Sequence, residues 1–164
     1  MKETKTVKRM VLVALVLGAL VVVPAVHAAE LTRDEYVARV EPICKKNTEA
    51  NKRIFAGAKE EVKEGKTKLA STHFMRAQTA LEKTVKQLKA VPRPAADEAK
   101  LGKWISYLET ESAYIGKIGK ALAQGDKGKA QTLSVQLNRN SNLANNSVLA
   151  FGFSYCRLDP SRFT

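Results

Sequence analysis

Chemistry in this 164-residue sequence can come from two cysteines, two histidines, scattered carboxylates and a run of asparagines. Cys44 and Cys156 lie near opposite ends of the chain beyond its N-terminal segment. No Cys-x-x-Cys occurs, which argues against thioredoxin-like redox chemistry, and no Cys-x-x-Cys-His occurs, which argues against covalent haem. A zinc site wants about four ligands, commonly Cys and His. Beyond the N-terminal segment only His73 joins the two cysteines. The expectation is a structural Cys44–Cys156 disulfide, with no metal and no cofactor.

His73 sits one residue before Phe74, with no nucleophile-elbow signature anywhere in the chain. It reads as a surface or boundary residue. Glu60, Glu61, Glu64, Glu98, Glu109 and Glu111 lack the Glu-x-x-His pairing of bundle di-metal sites. Interspersed with lysines, they read as a solvated face. No catalytic constellation is visible, so an enzyme is not expected.

The asparagines are less ordinary. Five of the ten residues from Asn138 to Ser147 are Asn, a mediocre helix former that packing must hold in place. Three readings are open. The asparagines can form a hydrated outer face. They can form a polar interior cluster of Asn140 and Asn145 with Asn47 and Asn51, because Asn140 lies at core-like spacing between Leu137 and Ala144. They can line a pocket for a small polar ligand. Asn145-Asn146-Ser147 matches a glycosylation sequon, but in a helical location.

The elements that must position these groups are helical. Thr32 and Glu35 form a capping box, and Val37, Val40, Cys44, Ile54, Ala58 and Val62 follow at helical spacing. Pro42 is expected to kink this first helix or split off its first turns, and Gly65 to end it. A second helix is predicted from about Thr67, with a stripe of Leu69, Phe74, Ala77, Leu81, Val85 and Leu88. It stops at Val91-Pro92-Arg93-Pro94. A third runs from about Ala95, with a face of Leu101, Trp104, Ile105, Leu108, Ile115, Ile118 and Leu122. Within it Gly116 and Gly119 suggest close packing against a neighbour. Gly125-Asp126 ends it and caps a fourth, which carries Ala130, Leu133, Leu137, Ala144, Val148 and Phe151.

No strand-period segment is evident. The expected fold is all-α: an antiparallel up-down-up-down four-helix bundle at residues 29–156, followed by an irregular tail at 157–164. That topology brings the start of the first helix and the end of the fourth together, as a Cys44–Cys156 bond requires. Closing so long a loop would stabilise the fold by ~4.7 kcal/mol in the chain-entropy description.

The N-terminal segment sets the compartment. Residues 2–9 are polar and basic, and 10–23 are apolar without a break. After Pro24, Val26 and Ala28 stand at the −3 and −1 positions of a cut after Ala28. This is the order of a secretory signal peptide, residues 1–28. An apolar core of about 14 residues is short for a membrane span of ~20, and no Cys near the cut offers a lipid anchor. The competing reading is an uncleaved signal anchor. It is the only expected route to a membrane.

Net charge is +12; Lys2, Lys5, Lys8 and Arg9 against Glu3 account for +3 of it, leaving +9 on the exported part. Basic residues such as Lys45, Lys46, Lys52, Arg53, Lys83 and Lys117 are spread over the domain rather than gathered in one run. They form a solubilising surface or one attracted to polyanions. Outside a cell those are envelope polymers and lipid headgroups. Nucleic acid is not expected, because no recognised module is present.

Glu41-Pro42-Ile43-Cys44, the stop at Leu88–Pro92 with Pro94 and Asp97, Ala123-Gln124-Gly125-Asp126, and Asn145 leading to Phe151–Cys156 resemble, with Tyr36, a group of small exported actinobacterial helical-bundle proteins of unknown function. The likeness spans nearly the whole chain after the signal segment. It implies an envelope or extracellular location and a helical fold, and it brings no catalytic residues. Together these features lead to the expectation of a non-enzymatic binding or structural module for an anionic envelope component. The alternative is a carrier that holds a small molecule or metal between its helices.

Overall fold

The computed structural model describes residues 31–159. The expected signal peptide of residues 1–28, its expected cut after Ala28 and residues 160–164 of the tail lie outside them. The described residues are helical and include no strand. The helices are α1 (Arg33–Ile54), α2 (Ala58–Lys63), α3 (Thr67–Lys89), α4 (Glu98–Ala123) and α5 (Lys127–Ser147), with 3-10 turns at Ala95–Asp97 and Leu149–Phe151.

The local signals act as their chemistry dictates. Thr32 Oγ1 accepts from the Glu35 amide at 3.3 Å and the Glu35 carboxylate accepts from the Thr32 amide at 2.8 Å, so the capping box forms. Asp126 accepts from the Lys129 amide at 2.8 Å and starts α5. Before it, Gly125 takes a left-handed φ of 75°, which ends α4 without the steric cost a Cβ would add.

One expectation is corrected. The first helix does not break at Pro42; α1 runs through it without interruption. Pro42 deprives the Ala38 carbonyl of its partner, but Ala38 is exposed, so water can take that carbonyl. The break comes later. Gly57, at a φ of 84°, turns the chain and separates the short α2. Phe55 at this break packs edge-on against Phe74 of α3, with ring centroids 5.1 Å apart.

α4 packs against both α3 and α5, and α1 packs on α3. The core joins Tyr36, Val40 and Cys44 of α1 to Phe74, Leu81 and Leu88 of α3, Trp104, Leu108 and Ile115 of α4, and Leu137 and Ala144 of α5. Leu69 departs from its predicted stripe: it is 50% exposed, while Ala70 and Ser71 of the same turn are buried. Gly116 and Gly119 do mark close approach. A Cβ at Gly119 would lie 3.1 Å from Phe74 Cβ, and one at Gly116 would lie 2.6 Å from Gln78 Cδ.

Cys44 and Cys156 form a disulfide, with Cα atoms 5.0 Å apart. It fastens α1 to the segment after the second 3-10 turn. There Phe151 and Phe153 stack, and Phe153 lies against Trp104.

Candidate functional site: a polar cavity beneath the C-terminal segment

The site is built outward from Glu111. Trp104, Leu108, Glu111 and Ile115 recur at steps of four and three, so α4 presents the carboxyl on its buried stripe. Glu111 is 1% exposed. This corrects the expectation of a solvated acidic face, which holds for its neighbour Glu109 but not for Glu111. Facing it, α5 supplies Asn140 and Ser141, both buried. Asn140 Nδ2 donates to Glu111 Oε2 at 2.7 Å and to the Tyr107 carbonyl at 2.9 Å. Ser141 Oγ lies 2.6 Å from Glu111 Oε1 and 3.0 Å from the Leu137 carbonyl.

No cation offsets this carboxyl. Burial pushes its pKa up to about 7, against the opposing pull of the Ser141 and Asn140 hydrogen bonds. The serine adapts to either protonation state, because a hydroxyl has one proton and two lone pairs. Ser141 donates to an ionised Glu111. When Glu111 is neutral, the carboxyl donates to Ser141 Oγ, and the serine proton turns to the Leu137 carbonyl.

Beside Glu111 lies a cavity of about 50 Å³. Asn47, Thr48 and Asn51 of α1, Leu81, Thr84 and Leu88 of α3, the Trp104–Ile115 stripe of α4, and residues Tyr155–Asp159 line it. Three buried polar atoms on its lining residues have no hydrogen-bond partner in the protein: Asn47 Oδ1, Asn51 Oδ1 and Trp104 Nε1. Each such atom costs about 1–3 kcal/mol if left bare. Thr84 does not add to this count, since its hydroxyl donates to the Ala80 carbonyl at 2.9 Å.

The C-terminal segment borders the cavity and is tied down three times. The disulfide holds Cys156. The Glu41 carboxylate accepts from the Ser154 and Tyr155 amides, each at 2.9 Å, and from the Cys156 amide at 3.4 Å. Asn145 pairs with Leu158 as a second backbone would: its Oδ1 accepts from the Leu158 amide and its Nδ2 donates to the Leu158 carbonyl, each at 2.8 Å.

The predicted polar cluster is therefore divided. Asn47 and Asn51 share the cavity, Asn140 bonds Glu111 rather than the asparagines of α1, and Asn145 holds the C-terminal segment. Glu111 and Ser141 were missed; their signal was register, a carboxylate and a serine within otherwise apolar helical stripes. His73 is half-buried. Its Nδ1 donates to the Ile54 carbonyl at the end of α1, and its Nε2 faces Glu61 at 3.1 Å. It thereby ties α1 and α2 to α3. Among the described residues, no group of three or more His, Cys, Asp or Glu could hold a metal. Among them, too, no helix is long and apolar enough to cross a membrane.

No protein-family model, curated protein or solved structure matches this chain.

Proposed function

We propose that this protein is an exported, non-enzymatic binding module of the cell envelope that holds a small polar ligand between its helices. The observation that carries the reading is a cavity lined by Asn47, Asn51, Trp104 and Glu111, with Asn47 Oδ1, Asn51 Oδ1 and Trp104 Nε1 buried and without a partner in the protein. Small-ligand sites are typically concave and apolar, with a few convergent polar groups. The Cys44–Cys156 bond suits an oxidising compartment. The signal-peptide order of residues 1–28, with a cut after Ala28, and the resemblance to small exported actinobacterial bundles support the same location. Short connections between the long helices favour the antiparallel up-down-up-down course.

Native mass spectrometry of the protein secreted by its own host tests this. The expected species starts at Ala29, carries one disulfide, and retains a small bound mass that Asn51→Leu loses. A ligand-free spectrum identical in wild type and variant would remove the reading.

A second reading places an anionic envelope polymer or lipid headgroups on the basic surface. Its support is the +9 charge of the exported part and the exposure of Lys45, Lys46, Lys52 and Arg53 along α1. Such binding should weaken steeply between low and physiological salt; salt-independent retention on an anionic polymer would count against it.

A further inference from the structure

We infer that the groove between α2 and the first half of α5 binds a single-chain anionic amphiphile of the fatty-acid class, with its tail along Val135 and Val62 and its carboxylate at Lys127. The inference does not depend on the cavity beside Glu111. It adds a second site, on the outside of the bundle.

The groove follows from the break after the first helix. Gly57 turns the chain, and α2 lasts only from Ala58 to Lys63. Gly65, at a φ of 78°, then turns it again into α3. α2 packs on α3, so a helix of 6 residues stands beside three long ones and leaves part of their surface open. The opening is a groove of about 520 Å³, within the range of roughly 300–1,000 Å³ common for small-molecule sites. Val62 of α2 and one face of α5 form its walls. Phe74 of α3 with Ile118 and Leu122 of α4 form its floor.

The α5 residues on the groove are Lys127, Ala130, Gln131, Ser134, Val135 and Asn138. Their steps of three and one keep a single helical face along the groove for about 16 Å, the length of a medium acyl chain. The walls present surface to an occupant. Val135 is 65% exposed, Lys127 and Gln131 are exposed, and Val62 and Ser134 are half-buried. The floor residues are nearly covered by their own neighbours and serve to keep the base apolar.

Charge decides the occupant. Among the described residues Lys127 is the one ionisable group lining the groove, and no carboxylate lines it. Among them, too, Lys127 forms no ion pair. Asp126, next to it, spends its carboxylate on the Lys129 amide. An apolar trough with a free cation at its first residue fits an apolar chain with an anion at its end. A cationic amphiphile would meet Lys127 as a like charge. A second copy of the chain would bring another strongly basic surface, and self-repulsion opposes it.

Calorimetric titration of the oxidised protein tests this, using decanoate, hexanoate and decylammonium below their micelle concentrations, at low and at physiological salt. One decanoate should bind per protein. Hexanoate lacks four CH₂ groups, each worth about fourfold where it is covered, and should bind at least roughly tenfold more weakly. Decylammonium should not bind measurably. Val135→Glu and Lys127→Gln change exposed positions and should melt as wild type does. Val135→Glu should abolish saturable decanoate binding. Lys127→Gln should weaken it by roughly threefold and flatten its salt dependence. No saturable binding of decanoate, equal binding of decylammonium, or unchanged binding by Val135→Glu would overturn the inference. So would a dimer in sedimentation that Val135→Glu dissociates, which would assign the groove to a second copy. None of these outcomes bears on the Asn51→Leu test of the cavity beside Glu111.

Discussion

Asp97 and Glu111 each expose little surface, 5% and 1%, but Asp97 lies near the edge of the fold and Glu111 deep within it, and their pKa values move in opposite directions. Asp97 closes the 3-10 turn before α4, and Arg33 reaches across from α1 to clamp both its oxygens at 2.8 Å. The guanidinium holds the Asp97 carboxyl below the ordinary range, against the effect of burial. Arg33 also lies over the Phe151 ring, 4.9 Å from its centre. Glu111 has only neutral donors, and burial dominates. A buried carboxylate paired with arginine is a structural clamp. One left without a cation and held only by neutral groups is pushed toward its protonated form.

The largest expected effect comes from opening the cavity's cover. Replacing Cys44 and Cys156 together with alanine should cost about 2–5 kcal/mol of stability. It should also speed hydrogen exchange at Ser154–Leu158 while sparing the Arg33–Asp97 end. Uniform exchange changes at both ends would erase the distinction.

Next is the charge itself. The folded pKa of Glu111 lies above its unfolded value, so its contribution to stability is fully present below about pH 4.3 and is lost as pH rises through about 7. The loss is on the order of 3 kcal/mol. Glu111→Gln should match wild type near pH 4 and melt higher at pH 8. Asp97→Asn should do the reverse. A lowered folded pKa contributes stability above the unfolded value that disappears as pH falls. Its melting temperature should therefore drop several degrees at pH 7 and converge on wild type near pH 3. Parallel melting-temperature profiles for the two variants would break the comparison. The smallest effect is at Asn145→Ala, which removes two hydrogen bonds to Leu158 and should cost roughly 1–2 kcal/mol. Thermal melts would show it with both pH profiles unchanged.

The sequence made the helices, their caps and the disulfide readable, because each rests on local chemistry or on a single pairing. α3 starts at Thr67 and stops before Pro92, α4 stops before Gly125 and α5 follows Asp126, as expected, but α4 starts only at Glu98 after a 3-10 turn, and α5 ends at Ser147, leaving Val148 and Phe151 of its expected stripe beyond it. Pro42 does not split off the first turns of α1, because the freed Ala38 carbonyl can reach water, which only the packed structure decides. Leu69 misled because helical spacing alone did not fix which side of α3 would be covered. The asparagines signalled a polar interior, but their partners did not follow from spacing: Asn140 met a glutamate on another helix, and Asn145 met a backbone. Glu111 was legible by register alone. Its neighbours Glu109 and Lys117 made the surrounding surface look solvated, while the 104–108–111–115 stripe pointed inward.

The most direct test is a carbon-13 NMR titration of the side-chain carboxyls, with the Glu111 resonance assigned by its loss in Glu111→Gln. A midpoint near 7 is the expected result. A midpoint near the ordinary glutamate value of about 4.3 would contradict the picture of a buried carboxyl held only by neutral groups.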